Sequence, residues 1–194
     1  MSMFALIFIG IVLLGLAVVG LNIYNGLVSL RNQVERAWAN IDVILKQRYD
    51  EIPQLIQVIE QYGNYEAGLL QKLAEARSHY GNARSVGEKI DSSQQLSLAV
   101  QGVMAIGEAY PDLKANKNFS DLQARISSLE STLSDRREGY NECVANFNTR
   151  IDQFPDVLAA NILGYRRQQM FKVSEIEKTA PSLKMNLPKF GAGS

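Results

Sequence analysis

Few side chains in this sequence have the types and spacing that chemistry requires. Asp42, Asp50 and Glu51 come nearest to a carboxylate cluster. General acid–base work needs two carboxyls held in one cleft with shifted pKa values. Asp42 and Asp50 are eight residues apart and can share a helix face, but a solvated helix surface has the same spacing. The chain has one histidine, His79, and one cysteine, Cys143, too few for a zinc site of the His/Cys type. A catalytic thiol also needs a partner imidazole. His79 stands at a helix end beside Ser78 and Tyr80, whereas Cys143 falls on an apolar helix seam, where a thiol packs as a small hydrophobe. No glycine-rich phosphate loop and no G-x-S-x-G occurs. The sequence therefore assigns no catalytic, cofactor-binding or metal-ligating residue. The expectation is a non-enzymatic protein with no cofactor and no small-molecule substrate.

Charge narrows the partners. Lys plus Arg equals Asp plus Glu at 20 each. A nucleic-acid-binding body would show a basic excess, so nucleic acid is not expected. A single cysteine allows no intrachain disulfide.

The strongest signal lies at the N-terminus. Residues 1–30 carry no charged side chain, and Phe4 to Leu21 are almost wholly apolar. At about 1.5 Å per residue, this run and its flanks span the roughly 30 Å of bilayer hydrocarbon. A transmembrane helix is the leading reading, because a helix satisfies its backbone groups internally. A cleaved signal peptide fits less well, since no Lys or Arg precedes the run and no A-x-A site follows. A helix buried inside a soluble assembly is the third reading. Gly10, Gly15 and Gly20 recur every five residues, so they do not share one face and form no GxxxG motif. Arg31, Arg36, Lys46 and Arg48 follow the run. The positive-inside rule then predicts an outer N-terminus and a cytoplasmic body, with Tyr24 at headgroup level. The chain is expected to cross its membrane once.

Downstream, apolar residues recur at helical spacing and no strand-like alternation appears. The expected fold is all-α: a transmembrane helix continuous with, or followed by, an antiparallel bundle of long helices. The expected domains are an anchor (residues 1–23), a bundle (24–173) and a basic, proline-containing tail (174–194). The first seam reads Leu27, Leu30, Val34, Ala37, Ile41 and Ile44, a heptad-like, coiled-coil pattern. Arg48 and Glu51 occupy its next positions while the apolar stripe shifts to Leu45, Ile52, Leu55 and Ile59. If Arg48 faces the core, Arg48→Leu should strengthen the seam. Pro53 at the shift predicts a kink or a fresh helix start, and Tyr62-Gly63-Asn64 a helix end.

Further helices are predicted over 65–80, 94–110, 119–154 and 156–173, with the Ser- and Gly-rich stretch 81–95 as a loop. Gly102 and Gly107 weaken their helix by about 1 kcal/mol each, a cost usually met by close helix packing. The longest periodicity is Leu122, Ile126, Leu129, Leu133, Arg136, Tyr140, Cys143 and Phe147, with Asn118 or Ser120 as its cap. It should pair antiparallel with the first seam. Between helices, the polar block 110–119 predicts a capped corner: Pro111 stops one helix, Asn116 or Asn118 starts the next, and Leu113 and Phe119 staple the turn. The tail reads as disordered or as a basic strap docking on headgroups or a neighbour. Arg166-Arg167, on a helix with Tyr165, are expected to face solvent, a phosphate or a neighbour's carboxylate.

Several stretches resemble the LemA family. They are Tyr24-Asn25-Gly26-Leu27-Val28-Ser29-Leu30-Arg31-Asn32-Gln33-Val34, Ala37-Trp38-Ala39-Asn40-Ile41-Asp42-Val43, Leu45-Lys46-Gln47-Arg48 and Ile52-Pro53-Gln54-Leu55. Tyr110-Pro111-Asp112-Leu113-Lys114-Ala115-Asn116-Lys117-Asn118-Phe119, Leu122-Gln123, Tyr140-Asn141, Phe147-Asn148 and Phe154-Pro155 continue the pattern over nearly the whole chain. Gln47 departs from it where a second basic residue is common, as does the Gly63-Asn64-Tyr65-Glu66 junction, which lacks a frequent His. The resemblance implies a membrane-anchored bundle of long helices in bacteria, with one branch linked to magnetosome membranes. Together these readings lead to a membrane-anchored scaffold that self-associates into a homo-oligomer through its anchor and long helices. The alternative is a monomeric adaptor that recruits another membrane protein.

Overall fold

The computed structural model describes residues 3–61 and 67–172, and every regular element among them is a helix. The first, α1 (Met3–Glu60, 58 residues), is about 87 Å long at ordinary helical rise. Its N-terminal third stands clear of the rest of the chain. Beyond it, α1 joins a bundle with α2 (Ala67–Asn82), α3 (Val86–Ala109) and α5 (Lys117–Asp152); α4 (Pro111–Lys114) and α6 (Asp156–Ile162) are short. The expected end of α1 at Tyr62-Gly63-Asn64 and the tail 174–194 lie outside the described residues, as does the Ile106 and Gly107 packing.

α1 and α5 form the most extensive pair, and they run antiparallel. Gly26 lies against Arg150, Trp38 against Tyr140, Arg48 against Glu130 and Glu51 against Arg125. Leu27, Ile41, Leu45, Ile52 and Leu55 on α1 are fully buried, as are Ile126, Leu133 and Val144 on α5. The expected α5 seam is partly corrected. Val144 takes the buried place and Cys143 is half-buried, while Arg136 points to solvent and Arg137 inward. The buried face is wider than a two-helix seam because more than one element covers it.

α1 does not restart at Pro53, which lies inside the helix. Proline has no N–H for the carbonyl four residues back. That carbonyl, Tyr49 O, accepts the Arg77 Nε–H at 3.2 Å instead, and the Arg77 guanidinium lies 4.0 Å above the Tyr49 ring centroid. α2 thus replaces the bond that proline deletes.

The loop expected at 81–95 is also corrected, since only 83–85 separate α2 from α3. Ser85 and Glu88 form a capping box. Ser85 Oγ accepts the Glu88 N–H at 3.2 Å, and Glu88 Oε2 accepts the N–H groups of Ser85 at 3.1 Å and Arg84 at 2.7 Å. These backbone donors hold the Glu88 carboxyl below its usual pKa. Two of the serines that suggested a loop, Ser92 and Ser93, instead turn inward, as does Ser97 one turn on. At Gly102 an added Cβ would meet Leu69 Cδ1 at 3.2 Å, the close α2–α3 approach that its glycine implied.

The 110–119 corner folds as its residues dictate. Asn116 caps α5 by accepting the Phe119 N–H at 3.0 Å, and Leu113 and Phe119 are buried. Asn116, not Asn118 or Ser120, is the cap. The last helix is shorter than the predicted 156–173. Gly164, at φ +68°, terminates α6, with the Tyr165 N–H on Ala160 O at 2.9 Å and the Gly164 N–H on Asn161 O at 3.2 Å. This is a Schellman turn, which favours glycine at that position.

Candidate functional site

Among the described residues, the sequence-level candidates do not assemble into a catalytic cluster. Asp42 accepts from Lys89 Nζ at 2.6 Å, Asp50 from Lys46 at 3.1 Å, and Glu51 pairs with Arg125 at 3.1 Å. The three carboxylates are thus directed to three separate cations. His79 lines a shallow cleft between α2 and α3 with Lys72, Glu75 and exposed Leu98. Cys143 stands on α5, packed against the core. Among the described residues no group of His, Cys, Asp and Glu could hold a metal ion. Arg167 pairs with Asp152, and Arg166 is exposed.

Two polar constellations that spacing did not reveal hold the bundle together. The first is centred on Arg48, whose side chain is fully buried. Its Nη1 donates to Glu130 Oε1 at 2.5 Å and Ser97 Oγ at 2.6 Å, and its Nη2 donates to the Ser93 carbonyl at 3.1 Å. Ser97 Oγ in turn donates to Glu130 Oε2 at 3.0 Å. One cation thereby joins α1, α3 and α5. A buried charge is tolerated only when paired and hydrogen-bonded, so the small serines of α3 serve as its solvation shell. A basic residue on an apolar seam was the available signal; its carboxylate partner lies 82 positions away in sequence.

The second constellation is an irregular strap, residues 165–172, bound along α5. Asn148 Nδ2 donates to Gln168 O at 2.9 Å, and its Oδ1 accepts the Gln168 N–H at 2.8 Å. Asn141 does the same for Phe171, at 3.0 and 2.9 Å. Seven helical residues rise about 10.5 Å, and three extended residues span about 10 Å. The two asparagines and the two strap peptides are therefore in register. Each asparagine follows an aromatic residue that enters the core, in Tyr140-Asn141 and Phe147-Asn148. Tyr140 also donates its hydroxyl to Gln169 O at 3.1 Å, and burial pushes its pKa up to about 12. Phe171 is buried against Trp38 and Tyr140, at centroid distances of 6.3 and 5.6 Å. Gln94 Nε2 donates to the Lys172 carbonyl, and Gln169 Nε2 to Asp91, so the strap also holds α3.

The remaining feature is the N-terminal stretch of α1. No part of its most apolar window is covered by the other described residues. Phe4 is 79% and Leu14 67% exposed, and an added Cβ on Gly10, Gly15 or Gly20 would meet nothing. These apolar side chains need a lipid or protein environment that the chain itself does not supply.

Comparison with known proteins agrees with this geometry. The LemA family profile matches residues 37–185. Protein LemA of Metamycoplasma hominis is 26% identical over 160 residues, covering 79% of this chain and 71% of that protein. Magnetosome protein MamQ 2 of Paramagnetospirillum magneticum is 19% identical over 175 residues, and Magnetosome protein MamQ of Magnetospirillum gryphiswaldense 18% over 174. The matches cover 64% of each magnetosome protein, so the chain spans less than two thirds of their length. With the profile spanning most of an all-α chain whose apolar first helix is left uncovered by the other described residues, the chain belongs to the LemA family as a membrane-associated protein with an N-terminal anchoring helix.

Proposed function

We propose that the protein is a single-pass scaffold of the bacterial cytoplasmic membrane, with its N-terminus outside and its bundle in the cytoplasm, self-associating through the anchor and long helices. The observation that carries this reading is the continuity of α1. The uncovered apolar stretch and the bundle's central strut are one helix, so whatever holds the anchor also sets the position of the bundle. Arg31 and Arg36, on the bundle side of the run, support the orientation. Relatives named as magnetosome proteins support a role at a membrane. The polar constellations of the bundle, around Arg48 and along the strap, are internal locks between its elements. On this reading the tail 174–194 is a basic strap for headgroups or a neighbouring copy.

The test is the mass of the full-length protein in mild detergent, compared with a version lacking residues 1–23. A defined large particle that falls to monomers on truncation is expected. Monomers in both cases would remove self-association. They would favour the second reading, a monomeric adaptor, for which the α2–α3 cleft of mixed apolar and charged lining around Leu98 offers a partner surface.

A further inference from the structure

The membrane-proximal end of the bundle carries an apolar surface that the anchor does not account for. Phe154 is 80% exposed, Leu158 57% and Ile162 87%. Leu158 and Ile162 are four apart on α6 and share a face. The opposite face of α6 docks on the bundle through buried Ala160 and through Asp156, which accepts from Arg150 Nε at 2.7 Å. The height of this segment follows from α5. Arg150 reaches Gly26, and Ile151 is the last buried residue of α5, in the layer where Ile23 and Leu27 close the core. From the Gly26–Arg150 contact the antiparallel chain runs on to Phe154 in the direction of the apolar run of α1.

Charge at this end suits a lipid surface. Asp152 and Asp156 are each paired with an arginine, Arg167 and Arg150. From 157 to 172 the sequence has no acid, and Arg166 is exposed. Basic residues next to a membrane favour anionic headgroups. Two side chains on a seven-residue helix and one just before it are far too small a surface for a stable protein interface, which needs about 800 Å² per partner. They are enough for an interfacial contact already tethered to the bilayer, because the anchor supplies a high effective concentration.

We infer that Phe154, Leu158 and Ile162 form a second membrane contact, a foot seated at the headgroup–acyl boundary of the leaflet facing the bundle. It rests on the reading that α1 spans the bilayer. With the anchor it makes a two-point attachment, which sets the bundle's rotation and tilt about α1.

Nitroxide labels in the full-length chain, reconstituted in phosphatidylcholine–phosphatidylglycerol vesicles, test this. In a Cys143→Ala background, one label goes on Phe154→Cys, one on Ile162→Cys, one on Leu13→Cys at mid-anchor and one on Asp121→Cys at the far end of α5. Phe154 and Ile162 are exposed, so the labels do not disturb the core. Collision with oxygen over a water-soluble nickel chelate should rank Leu13 above Phe154 and Ile162, and these above Asp121. A dry Leu13 with Phe154 and Ile162 as wet as Asp121 overturns the foot and leaves the anchor intact. Labels at 154 and 162 shielded from both reagents mean that protein covers the face, which also overturns the lipid assignment. A wet Leu13 removes the membrane-spanning reading itself, and the foot with it.

Discussion

Arg77 on α2 donates its Nε–H to the Tyr49 carbonyl of α1, the acceptor that Pro53 leaves without its helical partner. A proline inside a helix would ordinarily cost about 3 kcal/mol. Here a neighbouring helix supplies the missing donor, and the same guanidinium stacks on the Tyr49 ring. α1 can then run unbroken from the anchor into the bundle.

Arg77→Leu should therefore destabilise the bundle by about 1–3 kcal/mol, the cost of leaving a part-buried acceptor unpaired. Pro53→Ala restores an N–H for Tyr49 O, so in that background the same change should cost less. Urea unfolding of the four-variant cycle measures the difference. Equal costs in both backgrounds would mean that Arg77 acts through ring stacking alone.

The buried Arg48 reverses an expectation of the linear sequence. Arg48 faces the core, but its charge is matched by Glu130. Arg48→Leu alone strands that carboxylate and should destabilise, while Glu130→Gln leaves a buried cation unmatched and should cost about 3–5 kcal/mol. Arg48→Leu with Glu130→Leu should recover native stability or exceed it. Denaturation midpoints decide, and a stabilised Arg48→Leu single variant would refute the pairing.

Removing either strap asparagine should loosen 165–172 with little change in helix content. Asn141→Ala and Asn148→Ala each delete two hydrogen bonds, at about 1 kcal/mol per bond. Amide exchange should accelerate over 165–172 in both variants. Unchanged exchange there would show that Phe171 packing alone holds the strap.

Alkaline pH should destabilise the protein over a defined window. Burial raises the pKa of Tyr80 and Tyr140 from 10.0 to about 12, with the Asp42 charge adding to the rise at Tyr80. Between these values the unfolded chain has lost phenolic protons that the folded chain retains, so stability falls as pH rises. Tyr80→Phe with Tyr140→Phe should flatten that slope in urea midpoints taken across pH 10 to 12. A slope identical to the parent's would place the alkaline sensitivity elsewhere.

Much of the architecture is written in local pattern. The uncharged stretch before Arg31 marks the anchor because its composition and length are local properties. The seams of α1 and α5 appear because a helix repeats its environment every three to four residues. The Asn116 cap and the Leu113–Phe119 corner depend on residues a few positions apart. Ser85-x-x-Glu88 and Gly164 are equally local signals, and serine-rich composition and continued periodicity obscured them. Tertiary structure alone decided the rest. Pro53 does not end α1 because Arg77, 28 positions from the Tyr49 carbonyl, replaces the lost donor. Arg48 stays buried because Ser93, Ser97 and Glu130 converge on it from two other helices. The strap after Gly164 can stay irregular because Asn141 and Asn148 bond the backbone groups of Phe171 and Gln168 that no helix pairs. A buried polar group must find a partner wherever the fold puts one, and that partner's distance along the chain has no periodicity to read.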